Sequence, residues 1–311
     1  MLYGFVAIVD PWDTLPLSPP LPRVPISTNA RYSFPALARS ARFDSVILGD
    51  STARLLQPAV LDPGLHARVV NLAMNAATAY EQSQMLTVFL RAHPQPKWVI
   101  LSIDQSWCSG SVVRFTPRSF PAWMYRRNLW PAYREILTPY AVQEAANQFA
   151  VMMGWKKRRY GLDGYTSFVP PDSAYDPARR DALFRQLHVD NDPAPAGFEP
   201  ALPAMPILDA MLHGIPAATR VILFFPPLSA EVQGAPGSVA AAYWSACKRD
   251  VTLRGRERGA LVLDFNRASD ITADRNNYWD PVHYRQAIAR RLMEGLIAGS
   301  SPDATTLAVP R

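Results

Sequence analysis

Of the five histidines in the chain, one stands where it could act as a base. His66 lies in a Pro-Gly turn, His93 closes a helical run beside prolines, His188 sits near Asp190 in an irregular segment, and His213 falls in a helical stretch. His283, in "NYWDPVHYR", has Asp280 three residues before it and an amphipathic pattern after it. Across one turn that spacing brings the two side chains together, so Asp280 could hold the imidazole and steady its charged form. The matching nucleophile is Ser51 in "SVILGDSTARLL", because a serine hydroxyl attacks poorly unless such a base takes its proton. Each residue also has a purely structural role open to it. Asp280 followed by Pro281 is a good N-cap and N1 pair, and Ser51 could equally cap a helix.

The elements that must position these residues follow from hydropathy. Five short apolar runs, Ser45–Leu48, Val69–Leu72, Trp98–Ile103, Val221–Phe225 and Leu261–Leu263, lack polar alternation, as strands of a parallel sheet covered on both faces do. Between the second and third, "AYEQSQMLTVFLRAH" sets Met85/Phe89 and Leu86/Leu90 four apart, a helical spacing. After the fifth, Tyr284, Ile288, Leu292 and Leu296 form one stripe. Strands alternating with helices predict an α/β fold with a mainly parallel five-stranded sheet. Ser51 then falls at the carboxyl edge, where open α/β sheets bind ligands. If "TARLL" opens a helix, its free N–H groups would favour negative charge developing there. The interval from about 105 to 204 breaks the rhythm and reads as one long insertion or cap over that edge, with helical pieces at Tyr140–Met153 and Ala178–His188.

The 311 residues are 49% hydrophobic and 19% charged, enough for one large globular domain from about residue 36 onward. A net charge of +6 is spread along the chain apart from "WKKRRY", and without a zinc-finger, Walker or RNA-binding signature it excludes a nucleic-acid partner. No cofactor or metal-ligand spacing stands out. Cys108 and Cys247 fit either free thiols or one bridge. Residues 1–35 are an apolar start and then a strap with six prolines between Pro11 and Pro25, which excludes regular helix or central strand there. The Leu2–Val9 run is far shorter than the roughly 20 residues that span a bilayer. It fits an ordinary first element or the end of a longer membrane anchor.

From Trp107 to Arg134 aromatics (Trp107, Phe115, Phe120, Trp123, Tyr125, Trp130, Tyr133) interleave with Arg114, Arg118, Arg126, Arg127 and Arg134. Rings stack on sugars and arginines pair with carboxylates or phosphates, so an anionic glycan groove is one reading. Packing of the rings beneath solvated arginines, or an apolar and basic face lying on a membrane, are the others.

"GDS" after the first strand, with Asp-x-x-His before the final helix, resembles the SGNH (GDSL-type) hydrolases over about residues 43–299. The resemblance implies a flavodoxin-like three-layer α/β/α sandwich with Ser51 as nucleophile, His283 as base and Asp280 as its orienting carboxylate. It implies oxyanion donors from the backbone of Ser51 and from Ala76, which stands where the family's second block carries glycine, with Asn75 as a further donor. Where the third block would supply asparagine this chain has Asp104, and a carboxylate there would repel an oxyanion. Candidate substrate contacts around these positions are Asp50, Arg54, Asp104, Gln105, Trp107 and Trp279. The departures, the strap and the membrane-proximal start look like the branch of bacterial-envelope proteins that add or remove O-acetyl groups on polysaccharides, although in its alginate-type members the Asp-x-His element precedes the serine. By that analogy the partners would be a polysaccharide or other acyl ester and a membrane-bound acyl-donor protein, in the periplasm. The alternative is a catalytically inactive glycan-binding protein of the same fold.

Overall fold

The computed structural model describes residues 1–301. Its five strands, β1 (Ser45–Leu48), β2 (Val69–Asn71), β3 (Trp98–Ser102), β4 (Arg220–Phe225) and β5 (Leu261–Asp264), form one all-parallel sheet in the order β2-β1-β3-β4-β5. Every strand agrees with an expected apolar run to within a residue or two. β2 stops at Asn71 because that side chain turns the chain away, donating to the carbonyls of Ala53 and Leu56 while accepting from Ala73 N–H.

Alternation along the strands divides the core in two. Val46, Leu48, Val99, Leu101 and Leu223 face one layer, built on α1 (Leu2–Val9), α2 (Ala30–Arg39), α4 (Ala79–Ala92), α6 (Pro139–Met152), α8 (Met205–Gly214) and α9 (Val239–Arg258). Ile47, Ile100, Ile222 and Phe224 face the other, built on α3 (Pro58–Leu65), α7 (Pro177–Phe184), α10 (Asp270–Ala273) and α11 (Gln286–Ser300). One further short helix, α5 (Ala132–Glu135), leads into α6. The result is a three-layer α/β/α sandwich.

Several helices were not legible. α2 and α3 each contain a proline, at Pro35 and Pro63. α9 buries a mixed set, Trp244, Ala246, Cys247, Val251 and Gly255, that gives no apolar stripe. Gly255 is required there, since a Cβ would lie 2.5 Å from Val262 Cγ2.

The amino-terminal run is a helix, and the proline strap lies on the domain. Trp12 donates to Ser27 Oγ at 2.8 Å, Ser27 donates to the buried Glu144 of α6, and Gln148 donates to the carbonyls of Pro11 and Val24. Segment 105–204 is not one cap over the sheet edge: its first part joins the α2/α4 layer through Trp107 and Tyr125, whereas Val169 and Phe184 belong to the α3/α11 layer. Cys108, at its start, is disulfide-bonded to Cys247 on α9, which settles the choice between thiols and a bridge.

Candidate active site

β1 ends in a turn that only glycine permits. At Gly49, with φ +154°, a Cβ would stand 2.6 Å from Ser102 Cβ and 2.7 Å from Ala53 Cβ, so the chain can pass the end of β3 only without a side chain. The next residue tightens the turn: Asp50 Oδ1 accepts from Thr52 N at 2.8 Å and from Thr52 Oγ1 at 2.7 Å. Ser51 is thereby held between them.

The hydroxyl of Ser51 meets the distant histidine. His283 Nε2 lies 2.8 Å from Ser51 Oγ, and His283 Nδ1 lies 2.7 Å from Asp280 Oδ2. Asp280 Oδ1 accepts the N–H groups of Val282 and His283, each at 2.9 Å. Because an ionised carboxylate can only accept, Nδ1 carries the proton and Nε2 is left to accept from the serine. Burial pushes the Asp280 carboxyl up, but the bonds from His283 and from the two N–H groups outweigh it and hold it below its ordinary value. The loop is fixed on both sides: Tyr284 donates to the Thr52 carbonyl, and Phe168 sets its ring edge-on to His283 at 5.3 Å.

Two expectations about this neighbourhood change. "TARLL" does not open a helix; it makes one 3₁₀ turn, Ala53–Leu55, because Leu56 and Gln57 turn extended ahead of Pro58, where α3 begins. No helix N-terminus therefore faces the serine, and backbone groups of the turns must serve as donors. Likewise Asp280–Pro281 caps nothing: α11 begins at Gln286 behind Arg285, and Asp280 spends its oxygens on its own loop and the imidazole.

The loop after β2 supplies the facing wall. Ala76 has φ +50°, a left-handed conformation that glycine adopts most easily, so the backbone shape expected of glycine is kept by alanine. Arg31 of α2 enforces it, donating Nη1 to the Asn75 carbonyl and Nη2 to the Ala76 carbonyl, each at 3.2 Å, while pairing with Glu81. Arg31 and Glu81 are 1% and 0% exposed. Glu81 also completes the capping box with Thr78 that starts α4. The N–H groups of Ser51 and Ala76 have no backbone partner among the described residues and are free to donate. Asn75 Oδ1 accepts from Arg54 Nη1, which leaves the amide nitrogen as the free end of that side chain.

The other anticipated contacts are distributed differently. Asp104 is buried, accepting from Ser106 N at 2.7 Å and Gln82 Nε2 at 3.0 Å. Burial and the charge of Asp50 hold its carboxyl well above the ordinary range, so the repulsion expected of a carboxylate there is weakened. Trp107 is fully buried, with its indole N–H on Gln82 Oε1 at 3.2 Å, and does not reach the surface. Gln105 is exposed, and Asp50 and Trp279 are half-buried. The aromatic and arginine segment packs on itself and on the domain: Phe115, Phe120 and Tyr125 follow one another with centroids 5.0 and 4.4 Å apart, Phe115 meets Tyr80 and Trp123 meets Trp12, beside exposed Arg118, Arg126, Arg127 and Arg134.

The cleft beside His283 comes instead from residues without any marking pattern. Phe168, Pro170, Arg179, Arg180 and Leu183 line a cavity of about 230 Å³ against Trp279, Asp280 and His283. Arg180 is fixed there by Asn276 Oδ1 at 2.7 Å and Tyr175 OH at 2.8 Å. Among the described residues no cluster of His, Cys, Asp or Glu could hold a metal ion, and no helix is long and apolar enough to cross a membrane. No family model matches the chain, and no curated protein matches it.

Proposed function

We propose that the protein is an SGNH-like serine acyl hydrolase or O-acyltransferase acting on an O-acyl ester of a glycan. One observation carries the reading: Ser51, His283 and Asp280 form a continuous hydrogen-bonded chain, 2.8 and 2.7 Å, at the carboxyl edge of a parallel sheet ordered 2-1-3-4-5. Ser51 Oγ attacks the acyl carbonyl while His283 Nε2 takes its proton, and Asp280 stabilises the imidazolium. The oxyanion lies against the N–H groups of Ser51 and Ala76 and the free end of Asn75. Imidazolium then protonates the departing alkoxide, leaving an acyl-serine. Water, or a sugar hydroxyl, gives up its proton to His283 and attacks that acyl group, releasing Ser51 with the acid or the new ester.

The Cys108–Cys247 disulfide supports an oxidising compartment and hence an extracytoplasmic location. A non-catalytic glycan-binding protein is the second reading, favoured by Asp104, which stands where the resemblance calls for asparagine and whose two oxygens already accept from Gln82 and Ser106. Intact-protein mass spectrometry after mixing with 4-nitrophenyl acetate distinguishes them. A transient acetyl adduct mapping to Ser51, lost in Ser51→Ala, is expected; no adduct on rapid quenching supports the binding protein. Adding an uncharged sugar acceptor then separates transfer from hydrolysis by where the acetyl group is recovered.

A further inference from the structure

Buried arginines are expected to be paired, because an uncompensated charge inside a protein costs several kcal/mol. Arg31 obeys this through Glu81. Arg54, three residues after Ser51, does not. It is 6% exposed, and its one hydrogen bond among the described residues runs from Nη1 to Asn75 Oδ1. Nε is sealed from solvent without a partner, and among the described residues no carboxylate forms an ion pair with the group. The guanidinium lies over two rings, its Cζ 5.6 Å from the Tyr160 centroid and 5.0 Å from that of Phe168. Phe168 in turn abuts His283. The cation is thus largely withdrawn from water and packed on a ring that touches His283, and Nη2 makes no hydrogen bond among the described residues. Burial lowers its pKa, Tyr160 opposes that, and the charges of Arg159 and Arg118 add to it.

We propose that Arg54 forms an anion subsite beside Ser51 that takes a carboxylate or phosphate carried by the substrate. The substrate part rests on the acyl-transfer reading above; the binding part does not. A planar guanidinium presents donors matched to the oxygens of such groups, and the bound anion supplies the countercharge that the folded chain lacks. An ester whose glycan carries a uronate or a phosphate would be held with its acyl carbonyl at the Ser51 turn.

The test is calorimetric titration of the full chain at low salt with methyl β-D-glucuronide, inorganic phosphate and, as the uncharged control, methyl β-D-glucoside. The charged probes should bind at least about tenfold tighter than the glucoside, the size of one charge-assisted hydrogen bond, and Arg54→Gln should remove that difference. Binding of phosphate but not glucuronide assigns the site to phosphate-bearing substrates, and the reverse assigns it to carboxylates. Equal binding by wild type and Arg54→Gln, or no preference for charge, overturns the subsite. Should Arg54→Gln fail to fold, Arg54→Lys decides, with several-fold weaker anion binding expected from loss of the planar fork and unchanged binding overturning the proposal. Ser51 acylation is read separately. Anion binding without acylation leaves the subsite in a non-catalytic protein, and acylation without anion binding removes the subsite alone.

Discussion

Removing Arg31 should separate fold stability from site geometry. Its guanidinium compensates Glu81, which is 0% exposed, and anchors the carbonyls of Asn75 and Ala76. In Arg31→Met, Glu81 is left buried without its partner, which costs about 3–5 kcal/mol. Adding Glu81→Leu removes the stranded charge and should return most of that loss, since apolar replacements of buried ion pairs are often nearly neutral. About 1 kcal/mol stays lost with the capping box at Thr78. The double variant should therefore fold. Its Asn75–Ala76 loop, however, has lost the donors that hold Ala76 at φ +50°, and misplacing one oxyanion donor costs about 100- to 1,000-fold in rate. Urea unfolding gives the stabilities, and hydrolysis of 4-nitrophenyl acetate gives the rate. A double variant that is well folded and fully active would refute the assignment of Ala76 to the oxyanion; a single variant destabilised by less than about 1 kcal/mol would refute the buried pair as the clamp.

Other perturbations address the rest of the account. Asp280→Asn keeps the contact to His283 Nδ1 but favours the wrong tautomer, so ester turnover should fall by roughly 10⁴-fold with little change in melting temperature. Reducing the Cys108–Cys247 bridge opens a loop with a sequence separation of 139, and equilibrium unfolding of Cys108→Ser/Cys247→Ser should show a loss of about 5 kcal/mol on the chain-entropy estimate. Burial, reinforced by Asp50, raises the folded pKa of Asp104, so the native state binds the extra proton and stability declines as pH rises from the unfolded value of 3.8 through the raised one. The slope is at most about 1.4 kcal/mol per pH unit for one proton, and Asp50→Asn should flatten it when unfolding free energy is followed between pH 4 and 8.

The parts of the molecule legible in the sequence are those governed by local periodicity. The strands are short, buried on both faces and flanked by turns, so β1, with Val46 and Leu48 facing one layer and Ile47 the other, reads as a continuous apolar run. Asp280 and His283 are legible because three residues separate them. Their meeting with Ser51 could be expected only because both lie at the same sheet edge, and the i to i+3 contact forms in a loop, not at a helix start. What local pattern could not reveal is long-range: the Arg31–Glu81 clamp spans fifty positions, and Arg54 finds Tyr160 and Phe168 across the sheet edge. Phe168 and Arg180 carry no motif at all and acquire a place beside His283 only when segment 105–204 divides between the two layers.

The central claim is that Ser51 is a nucleophile activated by His283. Labelling with a fluorophosphonate, followed by peptide mapping, tests it most directly. The account predicts stoichiometric modification of Ser51 in the wild type, none in Ser51→Ala, and a labelling rate that collapses in His283→Ala. Absence of labelling in the folded wild-type protein, or equal labelling when Ser51 is replaced, would contradict it.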